Sequence, residues 1–359
     1  MLTKLKSLNK RIHPSKLYFD PDWIVMGVNN VCNLHCKMCD VGNQNLESNF
    51  AQNLVGSHPI NMPLELITKV IDEMANVFPN TKLAYAFTEP LVYPHLIASL
   101  SYANSKGLFT TVTTNALTLK QKAVKLSEAG LNELYVSLDG PSDIHNEIRG
   151  HKKSFQKAVE GIQLLAEQAH VPKISIICAI TEWNIGNLDT LLNDLEGLPI
   201  AEVGFMHTQF TTKKAAQIHN TSKWGAVYPA VDSNVDEIDF SNMDLQALLQ
   251  EIANINNRSS KIKTYFSPEI NTLAQLQTYY LEPEKIIGNY CNAIFTNMMV
   301  KSDGSVIPAH GRCYNIDIGN VYEMPLKNIW NSPIAGRLRG DLMKAGGLFP
   351  ACSRCCSGF

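Results

Sequence analysis

The sequence lacks several features that would define its partners or its surroundings. Its 359 residues contain no apolar run approaching the ~20 residues that a membrane-spanning helix needs. The N-terminal segment is basic but has neither the apolar core nor the small-residue cleavage site of a secretory signal. With 31 basic and 33 acidic residues, the chain shows no basic stripe for nucleic acid and no acidic block. We therefore expect a cytoplasmic protein with no nucleic-acid partner and no membrane span.

Cysteine, by contrast, is plentiful and unevenly placed. There are nine cysteines, an odd number, and they are clustered towards the two ends of the chain. In a cytosolic protein this pattern indicates metal binding or catalysis rather than disulfide bonds. Cys32, Cys36 and Cys39 follow the apolar run 23–28 with the spacing Cys-x3-Cys-x2-Cys. Three thiolates can hold a [4Fe–4S] cluster by three irons, which leaves the fourth iron open to a substrate or cofactor.

Two other interpretations of this triad are open. The three positions would form one stripe on a helix, and cysteine is a common core residue. The neighbouring Asn29, Asn30 and Asn33, and the residues 40–43, instead favour a loop. Three loop cysteines with His35 nearby could also hold zinc.

Short β-branched segments alternate with longer amphipathic segments from about residue 23 to residue 206. This alternation predicts βα units around a parallel sheet. The predicted strands are 23–28, 82–87, 108–114, 133–138, 173–180 and 201–206. The predicted helices are 63–77, 94–105, 119–129, 154–167 and 185–195, with a further one at 244–255.

The remaining segments suggest the domain organisation. Residues 41–62 and 207–240 are polar and irregular, and the first predicts a long loop or lid after the triad. We divide the chain into an N-terminal extension 1–22, a βα domain 23–240, a helical connector 241–287 and a cysteine-rich domain 288–359.

The C-terminal domain carries a second cysteine group, made of Cys291, Cys313, Cys352, Cys355 and Cys356. Cys352 and Cys355 form a compact chelating pair, and Cys291 and Cys313 flank a predicted hairpin. Four thiolates of this kind suit a closed site for zinc or for an iron–sulfur cluster. Cys356 could substitute for Cys355 or remain free.

These motifs resemble a known family. The triad loop resembles the cluster loop of radical S-adenosylmethionine (radical SAM) enzymes, although Met38 stands where many members have an aromatic residue. The C-terminal block, including 318–320 and 328–330, is similar to the SPASM or shorter twitch module, which holds auxiliary [4Fe–4S] clusters. The resemblance implies a partial (β/α)6 TIM-like barrel followed by a small C-terminal cluster-binding domain.

The resemblance also implies cofactors and chemistry. Cys32, Cys36 and Cys39 would hold a [4Fe–4S] cluster that binds SAM, and a reductant such as flavodoxin or ferredoxin would supply electrons. Reductive cleavage of SAM gives a 5′-deoxyadenosyl radical, which abstracts hydrogen from the substrate. With five C-terminal cysteines, one auxiliary [4Fe–4S] cluster is expected. Its ligands would be Cys291, Cys313, Cys352 and Cys355.

Candidate contacts to SAM follow from the same resemblance. Glu89 aligns with the family element that receives the SAM amino group, although the preceding glycines are replaced by Phe87 and Thr88. The other predicted contacts lie after the third and fourth strands, and they are Asn115, Ser137, Asp139 and Arg149. For Ser137 and Asp139 the alternative is a helix cap.

Substrate and outcome are less constrained by the sequence. Cys178, in the fifth strand, is either a small core residue or a hydrogen-atom donor that would make the enzyme an epimerase. Oxidation or cross-linking is the other outcome. Because only about 22 residues precede the first strand, we expect a small molecule such as a sugar or aminocyclitol, with a peptide as the alternative. A non-catalytic electron-transfer or zinc-binding protein is the alternative of another class.

Overall fold

A computed structural model describes residues 2–55, 60–235 and 238–359, with side chains from residue 6 onward. The strands are β1 Trp23–Met26, β2 Lys82–Tyr85, β3 Thr110–Thr114, β4 Glu133–Ser137, β5 Lys173–Ile180, β6 Glu202–His207, β7 Lys263–Ser267, β8 Asn297–Val300, β9 Ser305–Pro308 and β10 Gly319–Asn320. The helices are α1 Leu2–Ile12, α2 Asn49–Leu54, α3 Leu64–Val77, α4 Leu96–Ser105, α5 Leu119–Glu128, α6 Ser142–Ile148, α7 Ser154–Ala166, α8 Leu188–Leu195, α9 Lys213–Thr221, α10 Leu245–Asn256, α11 Leu273–Leu281, α12 Leu326–Trp330 and α13 Pro333–Lys344.

All ten strands belong to one sheet, in the order β10-β9-β8-β1-β2-β3-β4-β5-β6-β7. Strands β8 and β1 to β7 run parallel to one another, whereas β9 and β10 extend the β8 edge by antiparallel pairing. Parallel strands bring their carboxyl ends to one edge, where α/β folds of this kind place their functional sites. The predicted class, a mixed α/β barrel-like core with a C-terminal cluster domain, is confirmed.

The six strands predicted from the alternation all form, as β1 to β6, and the predicted helices begin and end within three residues of their expected bounds. Two further parallel strands were not predicted. β7 lies between α10 and α11, so the segment described as a helical connector also supplies a strand. β8 lies in the predicted C-terminal domain but pairs with β1, so that domain continues the sheet directly.

The two faces of the sheet are covered differently. One face carries the large core and is packed against helices, since alternate residues such as Ile24, Met26 and Leu83 are fully buried there. The opposite face forms a second, smaller cluster over β8, β1 and β2. Helix α2 supplies part of it, and its buried members are Val25, Phe50, Leu54, Ala84, Met299 and Ile307.

The predicted loop 41–62 therefore contains a helix that enters the concave side of the sheet. Residues 56–59 of this loop, and residues 236–237 of the polar insertion 207–240, lie outside the described residues. The insertion contains α9. No described helix combines the length and apolar character required to cross a membrane.

Candidate active site and auxiliary metal site

The triad lies in the segment that leaves β1 at the carboxyl edge of the sheet. Cys36 is buried, whereas Cys32 and Cys39 are half-buried. The Cys39 N–H donates to the Cys36 carbonyl over 3.2 Å, and the Asn43 N–H donates to the Cys39 carbonyl over 2.8 Å. A Cβ on Gly42 would lie 2.5 Å from the Cys36 carbonyl oxygen, so only glycine lets the chain return this closely. The thiols are thus held by a loop, and the helix-stripe interpretation is wrong.

Two side chains from neighbouring strand connections reach the thiols. Asn115, which follows β3, places its Nδ2 3.9 Å from the Cys32 Sγ. Arg149, which follows α6, places its Nη1 3.7 Å from the Cys36 Sγ. Both atoms are hydrogen-bond donors, and donors favour a thiolate over a thiol. Two of the residues predicted to contact SAM are therefore brought to the cysteines themselves.

Burial disfavours free thiolates in this loop. Desolvation raises the pKa of Cys36 to about 12, although the positive charge of Arg149 acts in the opposite direction. Desolvation also raises the pKa of Cys32, and the charges of Glu89 and Cys39 add to that shift. Because metal ligands must be thiolates, bound iron would supply the positive charge that this loop lacks. The donor set therefore fits a cluster held by three cysteines.

Arg149 is positioned by a buried carboxylate. Its Nε donates to Asp139 Oδ2 over 2.5 Å, and the Asp139 side chain is fully buried. Asp139 Oδ1 accepts the Ala179 N–H over 2.9 Å, which ties the end of β4 to β5. Burial lowers the pKa of Arg149, but the charges of Asp139 and Cys36 outweigh it and raise that pKa. Both Asp139 oxygens are thus engaged within the protein, and α6 has no side-chain cap.

Glu89 connects the ends of β2 and β3. It is fully buried, and its Oε1 accepts the Leu91 N–H over 2.8 Å and the Thr114 hydroxyl over 2.6 Å. Its Oε2 accepts the Asn115 N–H over 2.7 Å. Burial raises the pKa of Glu89, although these three hydrogen bonds oppose the shift. Glu89 thereby fixes the backbone of Asn115 beside Cys32, and its contact with the SAM amino group stays a prediction.

Strained backbone precedes Glu89. Phe87 and Thr88 have φ values of 65° and 38°, at the positions where the family element carries glycines. This left-handed region costs a residue with a Cβ about 1–2 kcal/mol. The Thr88 hydroxyl donates to Asn29 Oδ1 over 2.6 Å, a contact that glycine could not make. The departure from the family sequence is therefore stabilised locally.

Ser137 and Cys178 lie on opposite faces of the sheet. Ser137 stands opposite Ile177 in the register, and Cys178 stands opposite Phe205. Because side chains alternate along a strand, Ser137 shares the concave face with α2 and Cys178 belongs to the helix-covered core. Cys178 is 0% exposed, its Sγ lies 3.7 Å from Asn184 Nδ2, and burial raises its pKa well above the usual value. This placement favours the packing interpretation of Cys178 over hydrogen-atom donation.

Four C-terminal cysteines converge on one cavity, and they are Cys291, Cys313, Cys352 and Cys355. Desolvation raises the pKa of Cys291 and of Cys313, and the charges of the other cysteines of the group add to both shifts. Desolvation likewise raises the pKa of Cys352 to about 11, with a contribution from Cys355. The four thiols therefore lie within electrostatic reach of one another.

The spacing of these sulfurs distinguishes zinc from a larger cluster. Tetrahedral zinc with Zn–S bonds of about 2.3 Å brings its sulfurs to roughly 4 Å of one another. Within the described residues, the only His, Cys, Asp or Glu group with ligand atoms all within 4.8 Å comprises His310, Cys355 and Cys356. Neither the triad nor the group of four is that compact, so neither has the close sulfur spacing of a tetrahedral zinc site.

The sequence did not single out the pairing of His310 with the last two cysteines. His310 Nε2 lies 3.7 Å from the Cys355 Sγ. Hydrogen bonding with Cys356, and then with His310, lowers the pKa of Cys355 against the effect of burial. Cys355 lines the cavity of the four cysteines and Cys356 is not among its lining residues. The assignment of Cys355 as a cluster ligand stays a prediction.

Helix α2 connects the two cysteine sites, which sequence reasoning also missed. The Asn53 side chain is buried, and its Nδ2 donates to the carbonyls of Gly311 and Cys313 over 2.9 and 2.8 Å. Asp40, directly after the triad, accepts the Ser233 hydroxyl over 2.5 Å, and Ser233 lines the cavity of the four cysteines. The segment that follows the triad thus holds parts of the second site in place.

Comparisons with known proteins agree with this arrangement. Residues 26–195 match the family model of the radical SAM superfamily, and residues 291–356 match that of SPASM, an iron–sulfur cluster-binding domain. Together the two domains imply a SAM-binding [4Fe–4S] cluster and an auxiliary cluster, as predicted.

Similar proteins extend over much of the chain. Fe-coproporphyrin III synthase of Methanosarcina barkeri is 22% identical over 97% of this chain and 84% of its own length. AdoMet-dependent heme synthase of Oleidesulfovibrio alaskensis is 28% identical, over 50% of this chain and 43% of its own length. The crystal structure of Streptococcus suis SuiB bound to its precursor peptide SuiA superposes with a TM-score of 0.65 at 16% identity, covering 98% of this chain and 75% of SuiB, and it shows the fold alone. Residues 26–195 of the chain therefore form a domain of the radical SAM superfamily, and residues 291–356 form a C-terminal SPASM domain.

Proposed function

We propose that this radical SAM enzyme binds a [4Fe–4S] cluster through Cys32, Cys36 and Cys39 and abstracts hydrogen from a small organic molecule. When bound, the cluster and SAM supply reductive cleavage of the sulfonium and a hydrogen-abstracting 5′-deoxyadenosyl radical. The observation that supports the proposal is the triad loop itself. It presents three thiols at the carboxyl edge of the parallel sheet, with donors from Asn115 and Arg149 at two of the sulfurs.

The surrounding residues prepare this edge for a charged cofactor. Arg149 brings one positive charge next to Cys36, and its buried partner Asp139 prevents the guanidinium from turning away. Glu89 accepts the backbone N–H of Asn115, and the side-chain Nδ2 of Asn115 donates to Asn33 Oδ1 over 2.8 Å, which holds this amide beside Cys32. Ser137 is half-buried on the concave face, where it is available to the SAM ribose or carboxylate. The ordering of these groups before SAM arrives lowers the cost of binding it.

The auxiliary cluster is assigned to Cys291, Cys313, Cys352 and Cys355. A site with four thiolate ligands leaves no iron open, so it suits electron transfer or structural support better than direct binding of substrate. Oxidation of the substrate would need such an electron acceptor. Since Cys178 lies in the helix-covered core, we propose oxidation as the outcome over epimerisation through this thiol.

A small-molecule substrate is favoured by two relatives whose names refer to tetrapyrrole products. With these names, the range of proposed small-molecule substrates extends beyond sugars and aminocyclitols. A peptide is the second candidate, because SuiB, which shares the fold, was crystallised with a precursor peptide. Small-molecule and peptide substrates can be distinguished by dividing a cell extract by ultrafiltration and assaying each fraction with the enzyme. The fraction that increases enzyme-dependent formation of 5′-deoxyadenosine identifies the size class of the substrate.

The activity itself is tested by anaerobic reconstitution with iron and sulfide, followed by dithionite and SAM. The wild-type protein should release 5′-deoxyadenosine and contain about eight irons per chain, as expected for two [4Fe–4S] clusters. Cys36→Ser should abolish the release, whereas Cys178→Ala should retain it. Zinc in place of iron, or iron without SAM cleavage, would refute the proposal and favour a non-catalytic metal-binding protein.

A further inference from the structure

Helix α1 has an unusual orientation on the surface of the protein. Its lysines turn inward: Lys6 forms an ion pair of 2.6 Å with the segment before β1, and Lys10 Nζ lies 5.5 Å from the Phe295 ring centroid. Its aliphatic side chains turn outward, with Leu8 51% and Ile12 58% exposed. A surface helix ordinarily buries its apolar side and exposes its charges. Because α1 does the reverse, packing within this protein does not explain its outward aliphatic residues.

An exposed aromatic ring is held beside this helix. Tyr18 is 70% exposed, and its backbone N–H donates to Asn9 Oδ1 over 2.8 Å. Asn9 Nδ2 donates to the Lys16 carbonyl over 2.8 Å, which fixes this segment to α1. Tyrosine is enriched where an apolar layer meets water, because its ring is apolar and its hydroxyl is hydrated. Tyr18 therefore extends the apolar surface formed by Leu8 and Ile12.

Unpaired positive charge borders these apolar side chains. Arg11 of α1, Lys16 and Arg337 of α13 are all exposed, and they line one groove. Among residues whose side chains the structure describes, none of these three cations has a carboxylate within 4.0 Å. The acidic residue that lines the groove, Asp341, is already paired with Lys344 over 3.2 Å. The three charges are thus available to an anionic partner.

The two sides of the groove are held together by close contacts. A Cβ on Gly336 would lie 2.5 Å from the Ser15 carbonyl oxygen, so only glycine lets α13 approach the N-terminal segment this closely. The Leu17 N–H donates to Asn331 Oδ1 over 2.8 Å, and Asn331 Nδ2 donates to the Leu17 carbonyl over 3.0 Å. The exposed arginine of α13 is therefore kept beside the basic residues of the N-terminal segment.

We propose that this surface docks on an anionic lipid bilayer. We call it the N-terminal patch, and it consists of Leu8, Arg11, Ile12, Lys16, Tyr18 and Arg337. Its apolar side chains enter the boundary between headgroups and acyl chains, while its cations lie among the anionic headgroups. Each lysine or arginine near such a surface strengthens binding by about fivefold. The proposal is independent of the radical chemistry, since none of these residues lies at either cysteine site.

Size and charge favour a bilayer over another protein as the occupant. A protein interface of standard size uses about 20–30 residues on each side, far more than the N-terminal patch contains. A bilayer needs no such area, because a few inserted apolar side chains and electrostatic attraction act together. A second copy of this chain would also bring the same unpaired cations towards one another.

The test measures flotation of the reconstituted full-length chain with two kinds of vesicle, phosphatidylcholine alone and phosphatidylcholine mixed with phosphatidylglycerol. We expect the wild type to bind the mixed vesicles at least about tenfold more tightly than the neutral ones, and high salt to weaken this preference. Arg11→Gln/Lys16→Gln should weaken binding to mixed vesicles by roughly 25-fold. Leu8→Ser/Ile12→Ser should weaken it by about tenfold or more.

Each variant has a matched control elsewhere on the surface. Lys261→Gln/Lys263→Gln removes two exposed lysines, and Val124→Ser/Ile218→Ser removes two exposed aliphatic side chains. Both controls should bind like wild type. All four variants should keep the iron content and the free energy of unfolding of wild type, because the changed side chains are exposed.

Three results would overturn the docking proposal. They are no binding of the folded wild type to mixed vesicles, equal affinity for the two kinds of vesicle, and an equal loss of binding in the controls. Sedimentation of the wild type and of Leu8→Ser/Ile12→Ser without lipid covers the other occupant. A wild-type dimer that this variant abolishes, together with absent vesicle binding, would assign the patch to contact between copies of the chain.

Discussion

The two cysteine sites of this protein are built in opposite ways. The triad occupies eight consecutive residues of one loop, Cys32 to Cys39, at the edge of the sheet. The C-terminal site collects four thiols from three separate segments, at Cys291, at Cys313 and at the pair Cys352 and Cys355, and places them around a cavity. Asn115 and Arg149 reach two sulfurs of the first site, and Tyr314 and His310 lie beside the Cys352 and Cys355 sulfurs of the second. Burial is the main cause that raises the pKa of Cys313, and the charges of the other cysteines add to it. With three thiolates the first site would leave one iron of a [4Fe–4S] cluster open to a ligand, whereas four thiolates would saturate the proposed cluster of the second.

The strongest test of this contrast removes one cysteine from each site. Cys36→Ser should lose about four irons per chain and all SAM cleavage, because two thiolates and a serine hold the cluster poorly. Cys313→Ser should also lose about four irons but should continue to cleave SAM. Iron analysis and quantification of 5′-deoxyadenosine check both variants. Loss of SAM cleavage in the Cys313 variant at full iron occupancy of the triad would contradict the separation of roles.

A second test concerns the buried ion pair at the first site. Arg149→Gln should lower the free energy of unfolding by about 3–5 kcal/mol, because it leaves the Asp139 carboxylate buried without its cation. Urea denaturation of the reconstituted protein measures the loss. The double variant Asp139→Asn/Arg149→Gln should recover part of it, since no buried charge remains. If Arg149→Gln alone cost nothing, the positioning role assigned to Asp139 would be wrong.

Much of the first site could be anticipated because its determinants are local. The triad with its turn residues, and each predicted strand or helix of the six βα units, can be recognised from about ten neighbouring residues. The second site was predicted only as a list of ligands, because its cavity depends on contacts between distant segments. Helix α2 was missed because six residues, NFAQNL, carry too little periodicity, and its stability comes from packing on Val25 and Met299. The roles of Asp139 and Glu89 within the protein were likewise invisible, since their partners are set by neighbouring strands.

The connection between the sites gives a third prediction. Asn53→Leu removes two hydrogen bonds and leaves the carbonyls of Gly311 and Cys313 without this partner, at a cost of about 1–3 kcal/mol. We expect the variant to lose iron from the C-terminal site while the triad still cleaves SAM. The electron paramagnetic resonance spectrum of the reduced protein, together with iron analysis, measures this. Gln217→Ala, an exposed change on α9, is the control and should behave like wild type.

The smallest effect concerns pH. His207, at the end of β6, is buried and its pKa is lowered to about 3 by desolvation, with Nδ1 2.7 Å from the Tyr280 hydroxyl. The unfolded chain therefore binds more protons between pH 6.5 and 3, and stability must fall as pH falls through this window. Between pH 7 and 6 this group should contribute less than about 1 kcal/mol. His207→Gln should reduce the slope of unfolding free energy against pH, and an unchanged slope would show that other groups dominate it.

The contrast between an open and a closed site is tested most directly by adding SAM to the doubly reconstituted, reduced protein. Electron paramagnetic resonance spectra of wild type and of the two single-site variants, Cys36→Ser and Cys313→Ser, separate the two clusters. We predict that SAM changes only the signal that survives in Cys313→Ser, since the proposed triad cluster would have an iron without a protein ligand. A SAM-dependent change in the signal that survives in Cys36→Ser, or no change in either, would contradict the account.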